Sequence, residues 1–585
     1  MKKKIIKLIA LAMVVLLLAS CSPAGIPLAY DAKIHEGGIA DTGEYNQELF
    51  YRNDTLLTQP DPFVMYITDE GSTEYGYYYL YATNFVDQGY KAYRSRDMVN
   101  WQDVSAEVGH YCFLEQEIDA FTNPYWAPEL IYDEKTDKYY LFYSASATTE
   151  WSWEGSYMRI GVAIADEPYG PFIAYENNIL IDEDKANAAI PEEDRGSWCC
   201  IDASPFYGAD GEKYMVFTRE MDTDDGVVIT ETAVNSTAWG IRMIDWQTPD
   251  YTTLTRLTCV GYLDTEKTAV ADYESASVRN EGPHMYVRKH DDGTATYYLT
   301  TSINGLDDYT VVQAISDKPL GPFRKLTEEE GGILLANDHM SWDHIKGTGH
   351  HCFVQAGNEL MIVYHQQENR LTGGSWIRAL AMDRITFVDN GRGQEVMVAN
   401  GPTWSLQPQL EIASEWRNIA SEATVKANKG ENVEALTDGA LSMYKKIDFV
   451  KEFETNAKNT TITLTFDDYR EVKGLMVYNS KWFEKAFMFI DRVEFDFKNE
   501  DVPDGATACI ENLPFDWQSY VKGSRDDMRP GGSAVAVFAP MLVKEIRITF
   551  KLPVDRHDEL QILDEEGYVI QQDTVAVSEI VVLGK

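Results

Sequence analysis

Five copies of one two-strand pattern, spaced about 65 to 80 residues apart, constrain the fold of this 585-residue chain more than any other feature. Each copy has an apolar run rich in β-branched and aromatic residues, then a turn, then a second such run. The copy between Glu281 and Thr300 is the clearest, because its runs flank an Asp-Asp-Gly turn and Asp-Gly is a strong β-hairpin signal. The other copies begin at Asp61, Ala127, Ala203 and Gly349.

A strand unit repeated at this spacing is typical of a β-propeller, in which each repeat forms one blade that cannot bury both of its faces alone. Five copies therefore predict a five-bladed propeller, which we place at residues 59–409. The innermost strands of all blades line a central channel. Residues at the openings of the repeats are thus expected to meet around one axis.

The repeat stops after Gln407-Pro408, and residues 410–585 follow a different pattern. Alternating runs separated by turn residues predict strands, and no helical periodicity competes with them. We predict a β-sandwich of jelly-roll type, so that the whole chain is all-β. The predicted strands are Thr460–Phe466, Val472–Tyr478, Val493–Phe497, Ala534–Phe538, Val543–Phe550 and Val575–Leu583.

The first residues of the chain have the pattern of a secretion signal. A basic start at Lys2, Lys3 and Lys4 is followed by an apolar run, Leu8 to Leu18, that is too short to span a bilayer. The run ends in Leu-Ala-Ser-Cys at 18–21, which resembles the bacterial lipobox. The resemblance implies a lipoprotein signal peptide at 1–20, a lipidated Cys21, and a tether and lead-in at 21–58. The protein would then be lipid-anchored to the membrane at the bacterial cell surface, facing outward.

Charge and cysteine content exclude several classes of function. A formal net charge of −43 argues against nucleic acid, because phosphates would be repelled, whereas a neutral ligand is compatible with it. The cysteines that follow Cys21 lack CxxC spacing, so neither a zinc site nor a disulfide scaffold is indicated.

Three repeat openings carry a carboxylate: Asp61 before Pro62, Asp202, and Glu281 before Gly282. Equivalent positions of a radial repeat would hold these side chains close together around the axis. Like charges held close raise at least one pKa, which keeps a general acid protonated near neutral pH. Hydrolysis of a glycosidic bond needs one such acid and one carboxylate that activates water. Any one of them alone could be an ordinary turn carboxylate, but three in register favour a catalytic site.

The sequences WAPE at 126–129, EGPH at 281–284 and GTGHH at 347–351, together with the repeat openings, resemble glycoside hydrolase family 43 from about residue 61 to 409. The resemblance implies that Asp61 is the general base and Glu281 the general acid. Asp202 would orient the acid and modulate its pKa. It also implies inversion at the anomeric centre, and an arabinose- or xylose-containing plant polysaccharide or oligosaccharide as substrate, with activity of the β-xylosidase or α-L-arabinofuranosidase type.

Three further residues are candidates for substrate binding. By the same resemblance His350 would line the channel, near a bound calcium or water, and Arg378 would touch the sugar in subsite −1. Trp126 could stack on a sugar ring or lie in the core of a blade. The run at 222–226 resembles part of a calcium loop but lacks the spaced Glu of an EF-hand, which favours an exposed acidic turn. We expect no required cofactor, and structural Ca²⁺ is the one metal that the pattern allows.

Parts of the C-terminal region resemble discoidin-like domains of the coagulation-factor 5/8 type C class, which include galactose-binding modules. The matching segments are 418–425, 435–439 and 577–584. Trp482 and Trp517 could form sugar platforms or pack in the core. Whether this domain binds sugar stays open.

Two other functions remain open from the sequence. One is a non-catalytic, lipid-anchored propeller that binds carbohydrate, which the intact set of three carboxylates disfavours. The other is a galactan-active or fructan-active hydrolase on the same fold. Fructan hydrolases place their Asp nucleophile in W-x-N-D-P-N-G and their acid in E-C-P, whereas this chain has Pro60-Asp61-Pro62-Phe63 and Glu-Gly-Pro at 281–283.

Overall fold

The computed structural model describes residues 25–31, 45–53, 57–83, 89–114, 122–146, 158–175, 179–221, 235–274, 279–337, 345–368, 377–444, 447–482, 485–499, 505–515, 531–552 and 573–585. Cys21, Trp517, the 222–226 turn and the predicted signal peptide therefore lie outside the described residues.

Five antiparallel sheets, each built from one continuous segment of the chain, form the predicted five-bladed propeller. The first strands of neighbouring blades contact each other in a closed ring: blade 1 with 2, 2 with 3, 3 with 4, 4 with 5 and 5 with 1. The strands are Phe63–Tyr66, Tyr78–Tyr81, Tyr93–Ser95 and Gln102–Asp103 in blade 1; Thr122–Asp133, Lys138–Ser146, Met158–Ala165 and Ile173–Ala174 in blade 2; Cys199–Tyr207, Lys213–Met221, Asn235–Asp245 and Thr248–Arg256 in blade 3; Asn280–Lys289, Ala295–Ile303, Thr310–Ser316, Arg324–Lys325 and Ile333–Leu335 in blade 4; and Ile345–Ala356, Glu359–Glu368, Ala379–Asp389 and Glu395–Ala399 in blade 5.

Hydrogen bonds between the lead-in to blade 1 and the third strand of blade 5 close the ring. The backbone N–H of Gln59 donates to the carbonyl of Arg378 at 2.9 Å, and that of Leu380 donates to Leu57 at 3.0 Å. A bridge between Thr58 and Ala379 lies between them. This pairing brings the start of the first blade, and with it Asp61, against Arg378.

Short elements connect the blades. Two small sheets pair Phe50–Tyr51 with Gln407–Pro408 and Gly89–Tyr90 with Phe113–Leu114. Among the described residues the α-helices are Ser105–Val108 and Glu183–Ala189. The side chain of Asp182 caps the second by accepting from the N–H of Lys185. The 3₁₀ turns are Glu192–Asp194, Leu306–Asp308, Glu328–Glu330, Ala420–Glu422 and Val433–Leu436. None of these described helices has the length and apolar character that crossing a membrane would take.

The C-terminal region is a strand domain, as expected, but its strands are longer than predicted. Thr460–Phe466 and Val472–Tyr478 belong to one strand, Asn459–Asn479, and the two predicted strands between 534 and 550 belong to another, Ser533–Lys551. Breaks in register between Thr465 and Arg470 allow the polar stretch between the runs to remain in the strand. The other strands are Arg417–Asn418, Thr424–Ala427, Phe453–Thr455, Phe489–Lys498, Thr507–Pro514 and Val575–Gly584.

Part of the segment that we expected to be a tether and lead-in pairs with the C-terminal sheet. Ile26–Pro27 runs parallel to Thr507–Pro514, and Tyr30–Asp31 pairs with Ser533–Lys551. The N–H of Leu28 adds a hydrogen bond of 2.8 Å to the carbonyl of Cys509. Residues far apart in the sequence, on either side of the propeller, therefore lie in one domain.

Apolar packing joins the propeller to the C-terminal domain. Val396 and Val398 of blade 5 lie in one buried cluster with Tyr444 and Ile447. Such burial removes apolar surface of both domains from water, which favours a fixed interface over a flexible linker.

Candidate active site

At or just before the first strand of every blade, one residue at an equivalent position has a positive φ angle. Side chains seldom tolerate this conformation unless the surrounding structure holds it, and such residues cluster at functional sites. The five are Asp61 (52°), Ala127 (43°), Asp202 (57°), Gly282 (56°) and His350 (43°). They lie where the first strands meet, which is where the sequence predicts the site.

The backbone N–H of each of these five residues donates a hydrogen bond to a side chain of the preceding blade. We call these bonds the inter-blade ring. The donors and acceptors are Ala127 to Thr83 Oγ1 (2.8 Å), Asp202 to Ser144 Oγ (3.0 Å), Gly282 to Asp202 Oδ2 (3.0 Å), His350 to Ser302 Oγ (2.8 Å) and Asp61 to His365 Nδ1 (3.2 Å). The ring holds the strained turns in place at the point where the blades meet.

The predicted equivalence of the three carboxylates is correct for Asp61 and Asp202 and wrong for Glu281. In blade 4 the residue with positive φ is Gly282, and Glu281 is the residue before it, paired with Ser302 on the next strand. The turn itself is equivalent, because the same break in register follows Trp126, Ile201, Glu281 and Gly349, and each of these directly precedes the residue with positive φ. The sequence of blade 4 places its carboxylate at this preceding position and glycine in the turn. The acid candidate therefore leaves the backbone one residue earlier than the two aspartates.

Asp61 is buried among positively charged and hydrogen-bonding groups. Arg378 Nη1 lies 2.7 Å from its Oδ1, and Thr83 donates to Oδ2 at 2.6 Å. The Nδ1 atoms of His350 and His365 lie 3.4 and 3.6 Å from Oδ1. Burial on its own raises the pKa of Asp61, but the guanidinium of Arg378, together with His350 and the hydrogen bond from Thr83, outweighs it and holds this pKa well below the ordinary value. Asp61 is therefore ionised across the neutral range, as a general base must be.

Asp202 has a different environment. Its Oδ2 accepts from the N–H of Gly282 at 3.0 Å and from the hydroxyl of Thr218 at 3.3 Å, and both of these donors are uncharged. Burial raises the pKa of Asp202, and the negative charge of Asp61 raises it further. Because it bonds to the residue directly after Glu281, Asp202 is placed to hold the backbone of the acid candidate. The two buried carboxyls also influence each other, since ionisation of Asp202 raises the pKa of Glu281.

Glu281 is as buried as Asp61 but is poorer in positive charge. Tyr309 donates its hydroxyl to Oε1, and Arg279 Nη1 lies 3.3 Å from the same oxygen. Burial raises the pKa of Glu281; Arg279 opposes this, and Asp202 adds to it, so that the pKa is raised overall. The carboxyl thus keeps its proton at a higher pH than an ordinary Glu does.

Two of the three predicted substrate-binding residues, Arg378 and His350, lie beside Asp61. Arg378 contacts Asp61 directly, and His350 lies between the two ends of the site: its Nδ1 faces Asp61, and a Cβ at Gly282 would be 3.2 Å from its ring. Trp126 is half-buried and packs against Met158, Cys199 and Ile201 in a small apolar cluster. These contacts agree with the alternative of a blade-core tryptophan.

Sequence reasoning missed the residues that hold the carboxylates, namely Thr83, Thr218, His365, Arg279 and Tyr309. One signal could have found the first three of them. The second strands of the blades end alike, so that Thr83, Ser144, Thr218, Ser302 and His365 fall at equivalent places opposite the first strands. Arg279 and Tyr309 lie in connections, where the repeat provides no register.

The described residues contain no group of three or more His, Cys, Asp or Glu side chains arranged to hold a metal ion. His350, the residue expected near a calcium, turns its Nδ1 toward Asp61. Structural calcium therefore stays a prediction from the sequence.

A comparison with known protein families matches residues 52–392, more than half of the chain, to the family described as Glycosyl hydrolases family 43. The match covers all five first strands and each of the three carboxylates, but it does not reach the C-terminal domain. In that domain the three discoidin-like segments do come together, since Asn418 pairs with Leu583 and the N–H of Gly439 donates to Glu579 at 3.1 Å.

Individual relatives are distant. A xylosidase/arabinosidase of Bacteroides ovatus is 22% identical over 271 residues, which are 46% of this chain and 73% of that protein. An endo-1,4-β-xylanase structure from Bacteroides thetaiotaomicron has 23% identity and a TM-score of 0.41, over 59% of this chain and 95% of that one. An α-L-arabinofuranosidase structure from Lactobacillus brevis has 18% identity and a TM-score of 0.40, over 59% and 95%. Because these TM-scores are low, the fold assignment rests on the five sheets and the family match.

Proposed function

The chain belongs to the glycosyl hydrolases of family 43, and from this premise we propose that it cleaves glycosidic bonds with inversion, using Asp61 as general base and Glu281 as general acid. The observation that carries the assignment of roles is the contrast between their surroundings. Both carboxyls are buried, yet the contact with Arg378 lowers the pKa of Asp61 while burial and Asp202 raise that of Glu281. Two carboxyls with pKa values driven apart form an acid–base pair.

In the proposed reaction Glu281 donates its proton to the oxygen of the leaving group as the glycosidic bond breaks. Asp61 takes a proton from the water that attacks the anomeric carbon from the opposite face. Asp202 holds the backbone after Glu281 and keeps its carboxyl protonated before the reaction. At the end Asp61 is protonated and Glu281 ionised, and exchange with solvent restores both.

Inversion is supported by the positions of the two blades. Asp61 opens blade 1 and Glu281 opens blade 4, and these blades are not neighbours in the ring. Carboxyls that face each other across a channel suit the spacing of roughly 6.5–9.5 Å that leaves room for a water, rather than the roughly 5 Å of retaining enzymes. Proton NMR of the first sugar formed should show the anomer opposite to that of the substrate. The same anomer, or a covalent adduct on Asp61, would refute the proposal.

We propose an arabinose- or xylose-containing plant polysaccharide or oligosaccharide as the substrate. The support comes from the family match and from the relative in Bacteroides ovatus, which is named a xylosidase/arabinosidase. Assays with aryl β-xyloside, aryl α-arabinofuranoside and aryl β-galactoside distinguish a hydrolase specific for xylose or arabinose from a galactan-active hydrolase. Release from the galactoside alone would contradict the pentose assignment.

A propeller that binds carbohydrate without cutting it is the second candidate function. Isothermal titration with xylo- and arabino-oligosaccharides separates the two, because a pure binding protein would take up the sugar and leave it intact over long incubation. The acid–base contrast between Asp61 and Glu281 favours the hydrolase, since binding a neutral sugar does not require it.

We further propose that the protein is anchored by a lipid on Cys21 at the outward face of a bacterial membrane, and that the C-terminal domain is discoidin-like. Cys21→Ser should move the protein from the membrane fraction to the soluble one, or leave it unprocessed; unchanged anchoring would contradict the lipid anchor. Trp482, which is 37% exposed, is the aromatic to test for sugar binding by that domain. Trp482→Ala should weaken retention on insoluble polysaccharide and leave hydrolysis of aryl glycosides unchanged.

A further inference from the structure

One position of the inter-blade ring differs from the other four. Oxygen atoms accept the N–H groups of Ala127, Asp202, Gly282 and His350, whereas a ring nitrogen, His365 Nδ1, accepts that of Asp61. His365 is completely buried and pairs in register with Gly349 on the first strand of blade 5. The exception thus occurs at the one place where the ring holds the general base.

The hydrogen bond defines the proton state of His365. Because Nδ1 accepts from the N–H of Asp61, any proton on the neutral ring must be on Nε2. Burial and the charge of Arg378 lower the pKa of His365 well below its ordinary value, which keeps the ring neutral. A protonated ring would set two N–H donors against each other and release the backbone of Asp61.

Tyr309 connects this histidine to the other end of the site. The rings of Tyr309 and His365 pack with centroids 5.8 Å apart, and the tyrosine hydroxyl donates to Oε1 of Glu281. Gly349 makes room for the tyrosine, since a Cβ at that position would lie 2.7 Å from its Cδ2. A single packed pair of rings therefore contacts the backbone of the base and the carboxyl of the acid.

We propose that His365 and Tyr309 are a pair of positioning residues that hold the base and the acid in their mutual geometry. The inference rests on the proposed function and assigns to it two residues beyond the three carboxylates. His365 fixes the left-handed backbone of Asp61, so that its Oδ1 stays beside Arg378. Tyr309 fixes one oxygen of Glu281, which leaves the other to carry the proton for the leaving group. Neither residue exchanges a proton with the substrate.

The first test removes the acceptor. His365→Leu should lower kcat by about 10²-fold with KM nearly unchanged, because small displacements of a catalytic group cost rate rather than binding. His365→Asn keeps an acceptor near the place of Nδ1 and should recover most of the rate. Thr258→Val is the matched control, since Thr258 also accepts a buried backbone N–H, that of Ala238 at 2.9 Å, away from the channel. Thr258→Val should lower the thermal stability about as much as His365→Leu does, and it should leave kcat unchanged.

The second test uses the leaving group. Tyr309→Phe should reduce turnover of a substrate with a poor leaving group more than that of an activated aryl glycoside, whereas His365→Leu should reduce both alike. Tyr309→Phe should also move the alkaline limb of the pH profile to higher pH, because the ionised form of Glu281 loses a donor.

The outcomes distinguish failure of the positioning role from failure of the proposed function. A wild-type protein that cleaves no glycoside ends the proposed function. If the wild type is active but His365→Leu has the same kcat as Thr258→Val, or His365→Asn is no faster than His365→Leu, the positioning role is refuted and the proposed hydrolase function stands.

Discussion

The two ends of the catalytic channel are equally buried but electrically opposite. Asp61 and Glu281 are 8% and 5% exposed, so desolvation acts on both carboxyls to a similar degree. Around Asp61 lie Arg378 and two imidazoles; around Glu281 lie Asp202, a tyrosine hydroxyl and the partly exposed Arg279. Burial alone therefore does not determine which of the two carboxyls has the higher pKa. The neighbours decide which carboxyl keeps its proton.

Replacing Asp61 or Glu281 should have the largest effect on activity. Asp61→Asn and Glu281→Gln should each lower kcat by about 10²–10⁴-fold, the usual contribution of a general base or acid. An activated leaving group needs little protonation and should partly rescue Glu281→Gln but not Asp61→Asn. Asp292→Asn, in an exposed hairpin turn of the same blade as Glu281, is the control and should retain full activity. Equal rescue of both variants would contradict the assigned roles.

The second prediction concerns Arg378, the positive charge that contacts Asp61. Arg378 lowers the pKa of Asp61, so Arg378→Met should raise it, and the acid limb of kcat/KM should move up by about one to three pH units. The sign follows from the proposed role of Asp61 as general base, which requires the ionised form. The wild type should lose activity only as the pH falls through a depressed pKa, and Arg378→Met should lose it at a higher pH. Arg378→Lys keeps the charge and should shift the limb less. An acid limb that stays in place in Arg378→Met would show that another group controls it.

The third prediction concerns Asp202, whose ionisation raises the pKa of Glu281. Asp202→Asn can still accept the N–H of Gly282, but it no longer raises the pKa of Glu281. The proposed role of Glu281 as general acid requires its protonated form, so the alkaline limb should move to lower pH by on the order of one unit. Glu220→Gln should move the limb in the same direction, because its charge also raises this pKa. A shift to higher pH in either variant would be inconsistent with the proposed electrostatics.

The last prediction concerns Arg279, whose effect on Glu281 is opposite to that of Asp202. Its charge lowers the pKa of Glu281, so Arg279→Met should move the alkaline limb to higher pH. Arg279 Nη1 lies 3.3 Å from Oε1 of Glu281, and its charge acts on this pKa at least as strongly as that of Asp202. The shifts of Arg279→Met and Asp202→Asn should therefore be of similar size and opposite sign in pH titrations of kcat/KM. A shift to lower pH in Arg279→Met would contradict the inferred sign.

The propeller and the three carboxylates were predictable because their signals are local and repeated. Asp-Gly turns between aromatic runs specify hairpins, and five openings specify where the hairpins meet. The inter-blade ring was not predictable, since the role of Thr83 or His365 depends on the blade beside it. The polar stretch at 467–470 was mistaken for a turn, although it continues a long strand. Ile26–Pro27 was missed because two residues provide no pattern and their partner lies in another part of the sequence.

The pairing of Ile26–Pro27 with Thr507–Pro514 has a consequence for synthesis. Ribosomes add about 5–20 residues per second, so roughly half a minute to a minute and a half separates the first of these strands from the second. The whole propeller emerges in that interval. Most blades contact a neighbour in the sequence, and only the closure of blade 1 on blade 5 waits for the last blade. The partner of the early strand is made later still, after all five blades. This edge of the C-terminal sheet is therefore completed by a segment that left the ribosome before the propeller did.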